Sequence, residues 1–418
     1  MKAEGRWVFL LIIIIGAAGI YSCGIFSRPL TIITDDPQVA DYLEFIRGAS
    51  EHQDFHIEFS SEADRSAAIG GSQADIIISS SIANQAFSPF IHSYPLRRWE
   101  QLTPARDSFV FADLYPGSYR PFIRDKRLGI VPLSFNLPIV YFNQEMAAAR
   151  PDTHSIGSSD LLRLAEEYTR IRGENYSEMG FSSLRDIRFL DILIRQETSV
   201  RGRVPDSSTL EPALETIRSE LEQLEQRPPA QLYFNSVFAY SADHADMEAR
   251  RIHSALSSLH EHLQAGPSRI REFSYKWLYS DDGAEVIQPI MYSAVLDSSR
   301  NTRRAFRFLR KILSSEFQSA YFEFRVSRDD SPVGFLQGFS SSRLVNERVL
   351  SASQAGPELP VPPAEQIIFP AAPDYLWNRV RNEVYYPWLQ DYLYTENVTA
   401  GDLEADIESF YKLNSRYR

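Results

Sequence analysis

Along the chain, short runs of β-branched and aliphatic residues alternate with stretches in which apolar positions recur every three or four residues. "LTIIT", Leu30 to Thr34, is bounded by Asp35, Asp36 and Pro37, and Val39, Tyr42, Leu43 and Ile46 then follow at helical spacing. "FHIEF" alternates Phe55, Ile57 and Phe59, a short helix is expected around Ala63 to Ile69, and "ADIIISSS" is a continuous apolar run ending in Ser79, Ser80 and Ser81. Strand, helix, strand, helix, strand predicts a parallel, doubly wound sheet. In such sheets ligands sit beyond the carboxyl ends of the strands, where loops and helix N-termini present donors. Thr34 to Asp36 and Ser79 to Ser81 fall on that edge, and each can equally cap the helix that follows.

The pattern changes in "RLGIVPLSFNLPIVYFNQEM", Arg127 to Met146. Pro132 has no N–H for a ladder, so a central strand running unbroken through it is not expected. Leu128 to Leu133 is read as closing one sheet, Ser134 to Asn136 as leaving it, and Pro138 to Phe142 as opening another; a bulge or hairpin within one domain is the alternative. Helical periodicity returns at Leu161 to Tyr168 and Phe189 to Ile194. Leu210, Leu214, Ile217, Leu221 and Leu224 form a stripe too short for a sustained coiled coil, hence the buried face of a surface helix. "QLYFNSVFAY" and "EFSYKWLYSDD" are rich in aromatics.

At 418 residues the chain exceeds one typical domain and has room for two cores. A hydrophobic share of 44% and a charged share of 23% are those of a globular protein, and a formal charge of −12 argues against a nucleic-acid surface. Lys2 and Arg6 precede an apolar run from Trp7 to Ile20 that contains Gly16, Ala17, Ala18 and Gly19, the regions of a secretory signal. The run is short for a membrane span, which needs ~20 apolar residues. The only cysteine, Cys23, follows in "GIYSCG", similar to a bacterial lipobox, and is expected to carry a lipid anchor; an incidental cysteine beside an uncleaved signal anchor is the alternative. One cysteine leaves no internal disulfide and no thiolate cluster.

Catalytic motifs are missing: there is no glycine-rich phosphate loop, nucleophile elbow or "H-E-x-x-H". His260 and His262, with His253 and His244 nearby, raise a zinc site only weakly against solvated helix residues. Asp35 with Asp36, and Asp281 with Asp282, are explained more simply by turn chemistry than by a glycosidase pair. Arg303, Arg304, Arg307, Arg310 and Lys311 make one helix basic, read as a solvated face ahead of a contact with acidic lipid or a permease loop. No enzyme activity, metal or cofactor is expected.

"ADIIISSSIANQAFSPFIHSYPLRRWEQLTP" followed by "LGIVPLSFNLPIVYFNQEM" resembles the N-terminal half of family 1 extracellular solute-binding proteins, the maltodextrin- and sugar-binding type of bacterial ABC importers. Asp75, Leu102 to Pro104, Gly129, Pro132, Asn136, Tyr141 and Asn143 stand where that family has its strand-opening aspartate, its "L-T-P" turn and its "G-x-P-x-x-x-N-x-x-x-x-Y-N" crossing. "IQPIMYSAVLDSSRNTRRAFRFLRKILSSEFQSAYFEF" is similar to the second crossing strand and the helix after it, and "PDYLWNRV" with "TAGDLEADIESFYKL" to the last helices. The family's glycine-containing strand is not found between Ala149 and Gly283.

The resemblance implies an α/β, two-lobed periplasmic-binding-protein fold, each lobe a mostly parallel sheet flanked by helices, joined by crossing hinge strands. It divides the chain into a signal peptide at 1–22, a lipidated cysteine and tether at 23–29, an N-terminal lobe at 30–136 plus 292–325, and a C-terminal lobe at 137–291 plus 326–418. It implies a monomer on an extracytoplasmic membrane face that binds a small solute, foremost a sugar, by hinge closure and delivers it to the transmembrane subunits of an ABC permease. Expected ligand contacts are Asp35, Asp36, Ser79, Ser80, Ser81, Asn136, and Tyr375 or Trp377. A sensor or adhesion lipoprotein of the same fold is the alternative, followed by a lipid-anchored hydrolase.

Overall fold

The computed structural model describes residues 28–49, 54–60, 74–83, 85–100, 111–143, 145–146, 154–173, 175–224, 228–238, 243–259, 261, 273–280, 282–328, 335–336, 338–352, 362–370, 376–394 and 398–414. Cys23, the signal-like run, the segment around Ala63 to Ile69, "L-T-P", His260, His262, Asp281 and Tyr375 lie outside the described residues.

Two six-stranded sheets organise the chain. The first runs, in spatial order, Phe339–Ser340, Ile130–Asn136, Ile287–Val295, Ile76–Ser79, Leu30–Thr34 and Phe55–Phe59. Leu30–Thr34, Phe55–Phe59 and Ile76–Ser79 are mutually parallel, and Ile130–Asn136 shares their direction because both it and Ile76–Ser79 pair antiparallel with Ile287–Val295. The second runs Arg170–Arg172, Asn175–Phe181, Ile252–Ser258, Pro138–Phe142, Ser274–Tyr279 and Ser155–Gly157. Here Pro138–Phe142 is the inserted antiparallel strand, between Ile252–Ser258 and Ser274–Tyr279. A common constraint explains both insertions. Each inserted strand arrives from the other lobe at the edge where the parallel strands end, so it can only run back down the sheet against them.

The crossing differs from the sequence reading. Ile130–Asn136 is one buried strand that runs through Pro132 and includes Ser134, Phe135 and Asn136; only Leu137 separates it from Pro138–Phe142. The proline is tolerated because the ladder is irregular there. Ile287–Val295 shifts register between Met291 and Tyr292, the partners of Ser134 and Pro132, while the other neighbour pairs only with Ser134 and Phe135. A second difference concerns 326–418, read as second lobe: Phe339–Ser340 pairs in the first sheet, and Phe335 and Leu336 pack in the first lobe's core.

Helices cover both sheets. Pro37–Gly48 buries Val39, Tyr42, Leu43 and Ile46, and the Asp36 carboxylate caps it by accepting the Gln38 and Val39 N–H groups. In the second lobe, Ser207–Gln223 buries Leu210, Leu214, Ile217 and Leu221, as the leucine stripe requires. The last helix, Ala400–Leu413, starts with a capping box between Thr399 and Asp402. "QLYFNSVFAY" lies largely in the helix Pro228–Val237, and "EFSYKWLYSDD" supplies the strand Ser274–Tyr279. One apolar cluster continues across the crossing: Phe135, Leu137, Ile139, Trp277, Val286 and Phe339 belong to a single core. Phe339 of the first sheet lies 5.5 Å from Phe135 and 5.5 Å from Trp277 of the second, ring centre to ring centre.

Asp75 is buried where the first sheet begins. Its carboxylate accepts the Thr31 N–H at 2.9 Å and the Ser299 hydroxyl at 2.6 Å, tying two strands to the turn after the crossing strand. Asp75→Ala leaves both donors without it and is expected to cost about 2–4 kcal/mol in chemical denaturation. A loss under about 1 kcal/mol would show that those donors are satisfied otherwise.

Candidate functional site

Parallel strands of both sheets end towards the crossing, and their loops carry the candidate side chains. On the first lobe Thr34 pairs in register with Ile78 and Phe59, so Asp35–Asp36 and Ser79–Ser81 stand at the same end of adjacent strands. Asp36 is buried and engaged in its capping bonds. Ser79 is fully buried and its oxygen accepts the Ser81 N–H at 3.0 Å, a local turn that holds the partly exposed Ser80 and Ser81 at the edge. Phe59, absent from the sequence-derived set, ends the edge strand with 64% of its surface exposed. Its place at the end of the alternating "FHIEF" was the available signal.

The second lobe contributes a charged wall. Asp186 caps the helix Ile187–Thr198, which follows the strand ending at Phe181. Arg188 donates to Asp186 at 2.5 Å and to Glu261 at 3.1 Å. Glu261 in turn accepts the Ser258 N–H at 2.9 Å, so the ion pair bridges the ends of two neighbouring strands. Burial opposes the Arg188 charge, but hydrogen bonds and charge from Asp186 and Glu261 outweigh it and raise the guanidinium above its ordinary value.

Asp191 and Arg195 continue this helix face at spacings that put them in line with Arg188. Arg195 ion-pairs with Asp191 at 3.3 Å and with Glu285 at 3.0 Å, and Arg201 donates to the other Glu285 oxygen at 3.0 Å. Tyr386 donates to Asp191 at 3.0 Å. Burial, then the Asp191 charge, pushes the Tyr386 hydroxyl pKa up, so it remains a donor at neutral pH. "IRFLDILIRQ" carries these charges on an otherwise apolar helix, a pattern visible in the sequence.

An open cavity lies against this wall, lined among others by Arg188, Asp191, Ile287, Trp377, Arg381 and Tyr386. Trp377 is 8% exposed, rooted in the second lobe's core, and begins a helical turn directly after Leu376, whose backbone is left-handed at φ 56°. A bulky residue held there is a strain that clusters at ligand clamps. Asn136 is buried, accepts the Leu137 N–H at 3.0 Å, and pairs with Ile287, a lining residue. Asn136 is not itself a lining residue; it reaches the cavity only through its strand partner Ile287. Asp35, Asp36 and Ser79 to Ser81 are together on the first lobe and do not line this cavity.

Among the described residues no group of three or more His, Cys, Asp or Glu side chains is placed to hold a metal ion, and no helix is long and apolar enough to cross a membrane. Two lobes, two inserted crossing strands and a cavity at the crossing define the two-lobed periplasmic-binding-protein fold. The sequence matches no family model and no curated protein. Solved structures do match. The sugar-binding protein MalE of Xanthomonas citri aligns with a TM-score of 0.65 at 11% identity, over 93% of this chain and 98% of that one. A sugar transporter of Rhizobium etli in an open conformation aligns at 0.64 with 12% identity, over 90% and 97%. An ABC substrate-binding protein of Listeria monocytogenes in complex with cycloalternan aligns at 0.58 with 12% identity, over 93% and 98%. At these identities the likeness establishes the fold.

Proposed function

We propose that the protein is an extracytoplasmic solute-binding component of an ABC import system, anchored by lipid on Cys23, which captures a carbohydrate and delivers it to permease subunits. The observation that carries this reading is the cavity's position: Trp377 and Tyr386 on the second lobe face a space also lined by Val286 and Ile287, where the chain enters the crossing. A solute held there changes the balance between open and closed lobe arrangements, because its contacts differ in the two. An aromatic wall with a few placed polar groups suits a sugar, whose carbons pack on the ring while its hydroxyls bond the rim. The similar structures, described as sugar-binding or substrate-binding, support the same class. On this reading Asp35, Ser80, Ser81 and Phe59 supply the first lobe's contacts and Asn136 serves the hinge.

A thermal-shift screen with sugars, polyols, peptides and metals tests the proposal. A sugar at about a hundred times its dissociation constant should add roughly 2.7 kcal/mol of stability. Trp377→Leu should weaken that sugar's binding about tenfold or more. No shift with any solute, beside tight binding of a protein partner, would replace transport with a sensor or adhesion role. Membrane fractionation with Cys23→Ala tests the anchor: the variant should appear in the soluble fraction.

A further inference from the structure

We propose that the cavity takes an acidic sugar, with a ligand carboxylate held by the Arg381 guanidinium; the inference rests on the carbohydrate-binding reading above. Three arginines line the cavity, and their partners separate them. Arg188 is neutralised by Asp186 and Glu261, and Arg195 by Asp191 and Glu285. Arg381 has no carboxylate partner among the described residues. Its Nε donates to the Asn382 side-chain oxygen at 3.3 Å, and its guanidinium carbon lies 5.5 Å from the centre of the Tyr386 ring.

The ring contact and the Nε bond restrain the group while leaving its two terminal nitrogens for a ligand. That pair of parallel N–H donors matches a carboxylate better than it matches scattered hydroxyls.

Trp377 and Arg381 are four residues apart and line the same cavity, about one helical turn from each other. A pyranose ring packed on the indole therefore places a carboxylate substituent within reach of the guanidinium. The backbone reinforces this placement. Arg381–Tyr385 is a π-helical turn, and such turns concentrate at functional sites. Here it lets the consecutive residues Arg381 and Asn382 both line the cavity.

Calorimetric titration of the whole protein tests the assignment, using trimers of galacturonate, mannuronate and glucuronate, each beside its neutral methyl ester, with maltotriose as a neutral reference. The expected result is that at least one uronate binds at least about tenfold tighter than its ester. Arg381→Gln should bring the acid's affinity down to that of its ester, and Arg381→Lys should retain part of the difference. Equal affinity for acid and ester in the unaltered protein, or tighter binding of maltotriose than of every uronate, would overturn the acidic-sugar inference and leave the carbohydrate reading in place. An equal loss for acid and ester in Arg381→Gln would also overturn it, making Arg381 a structural residue. Binding of none of these sugars would overturn both.

Discussion

Gly180→Ala is expected to prevent stable folding of the second lobe. A Cβ at this position would lie 2.0 Å from the Ala165 carbonyl oxygen and 2.5 Å from the Ala165 Cα, both backbone atoms of the helix Ser158–Tyr168. No rotamer change relieves a clash with backbone, so the helix must lift from the strand Asn175–Phe181. Its present seat is also bonded: the Gly180 N–H donates to the Thr169 hydroxyl at 3.1 Å, and the Gly180 carbonyl accepts from Ser254 at 2.7 Å. Leu161, Leu162 and Ala165 would leave a core they share with Phe181 and Phe189. The expected loss is about 4 kcal/mol or more, read from denaturation. Gly48→Ala is the control: nothing lies within 4 Å of its Cβ, so the change should stay within about 1 kcal/mol. Equal behaviour of the two variants would mean that helix and strand do not pack this closely.

Glu285→Ala is expected to cost about 3–5 kcal/mol, because it removes the carboxylate that ion-pairs with two arginines. Glu285 is 2% exposed, ion-pairs with Arg195 at 3.0 Å and accepts a hydrogen bond from Arg201 at 3.0 Å. Burial already presses against the Arg195 charge, and Asp191 and Glu285 together are what hold it above its ordinary value. Without Glu285 a buried cation keeps only Asp191, at 3.3 Å. Glu285 also sits immediately before the crossing strand, in the short pairing of Ala284–Glu285 with Ile367–Ile368. The variant should therefore affect sugar affinity as well as the melting midpoint. Arg201→Ala should cost less, since Arg201 is closer to solvent and Glu285 keeps its bond to Arg195. A Glu285→Ala loss no larger than that of Arg201→Ala would show that the buried pair is not what anchors this corner.

How far the sequence could be read depended on whether a feature was local. The strand Leu30–Thr34, its Asp36 cap and the following helix are set within a dozen or so neighbouring residues, so periodicity and capping chemistry located them. The leucine stripe and the Thr399–Asp402 box were legible for the same reason. Pro132 misled because the rule against proline in a central strand assumes a regular ladder, and the irregularity that admits it lies on the partner strand, about 160 residues away. The family resemblance points to Trp377 as a candidate contact, whereas the arginines beside it carry no local signature. A charge on an apolar helix shows its purpose only when its partners are known, and Glu261, Glu285 and Tyr386 come from distant parts of the chain.

Alternation, caps and the repeated order of strand and helix were sufficient by themselves for an α/β chain, because each follows from short-range sterics and the burial of apolar faces; two lobes with a crossing near Asn136 came from the resemblance to solute-binding proteins. Tertiary structure alone decided which carboxylate neutralises which arginine, that Phe339 returns to the first sheet, and that Asn136 pairs with Ile287, which lines the Trp377 cavity. Those are pairings between residues remote in sequence, and their free energy depends on burial and distance, which exist only once the chain has folded.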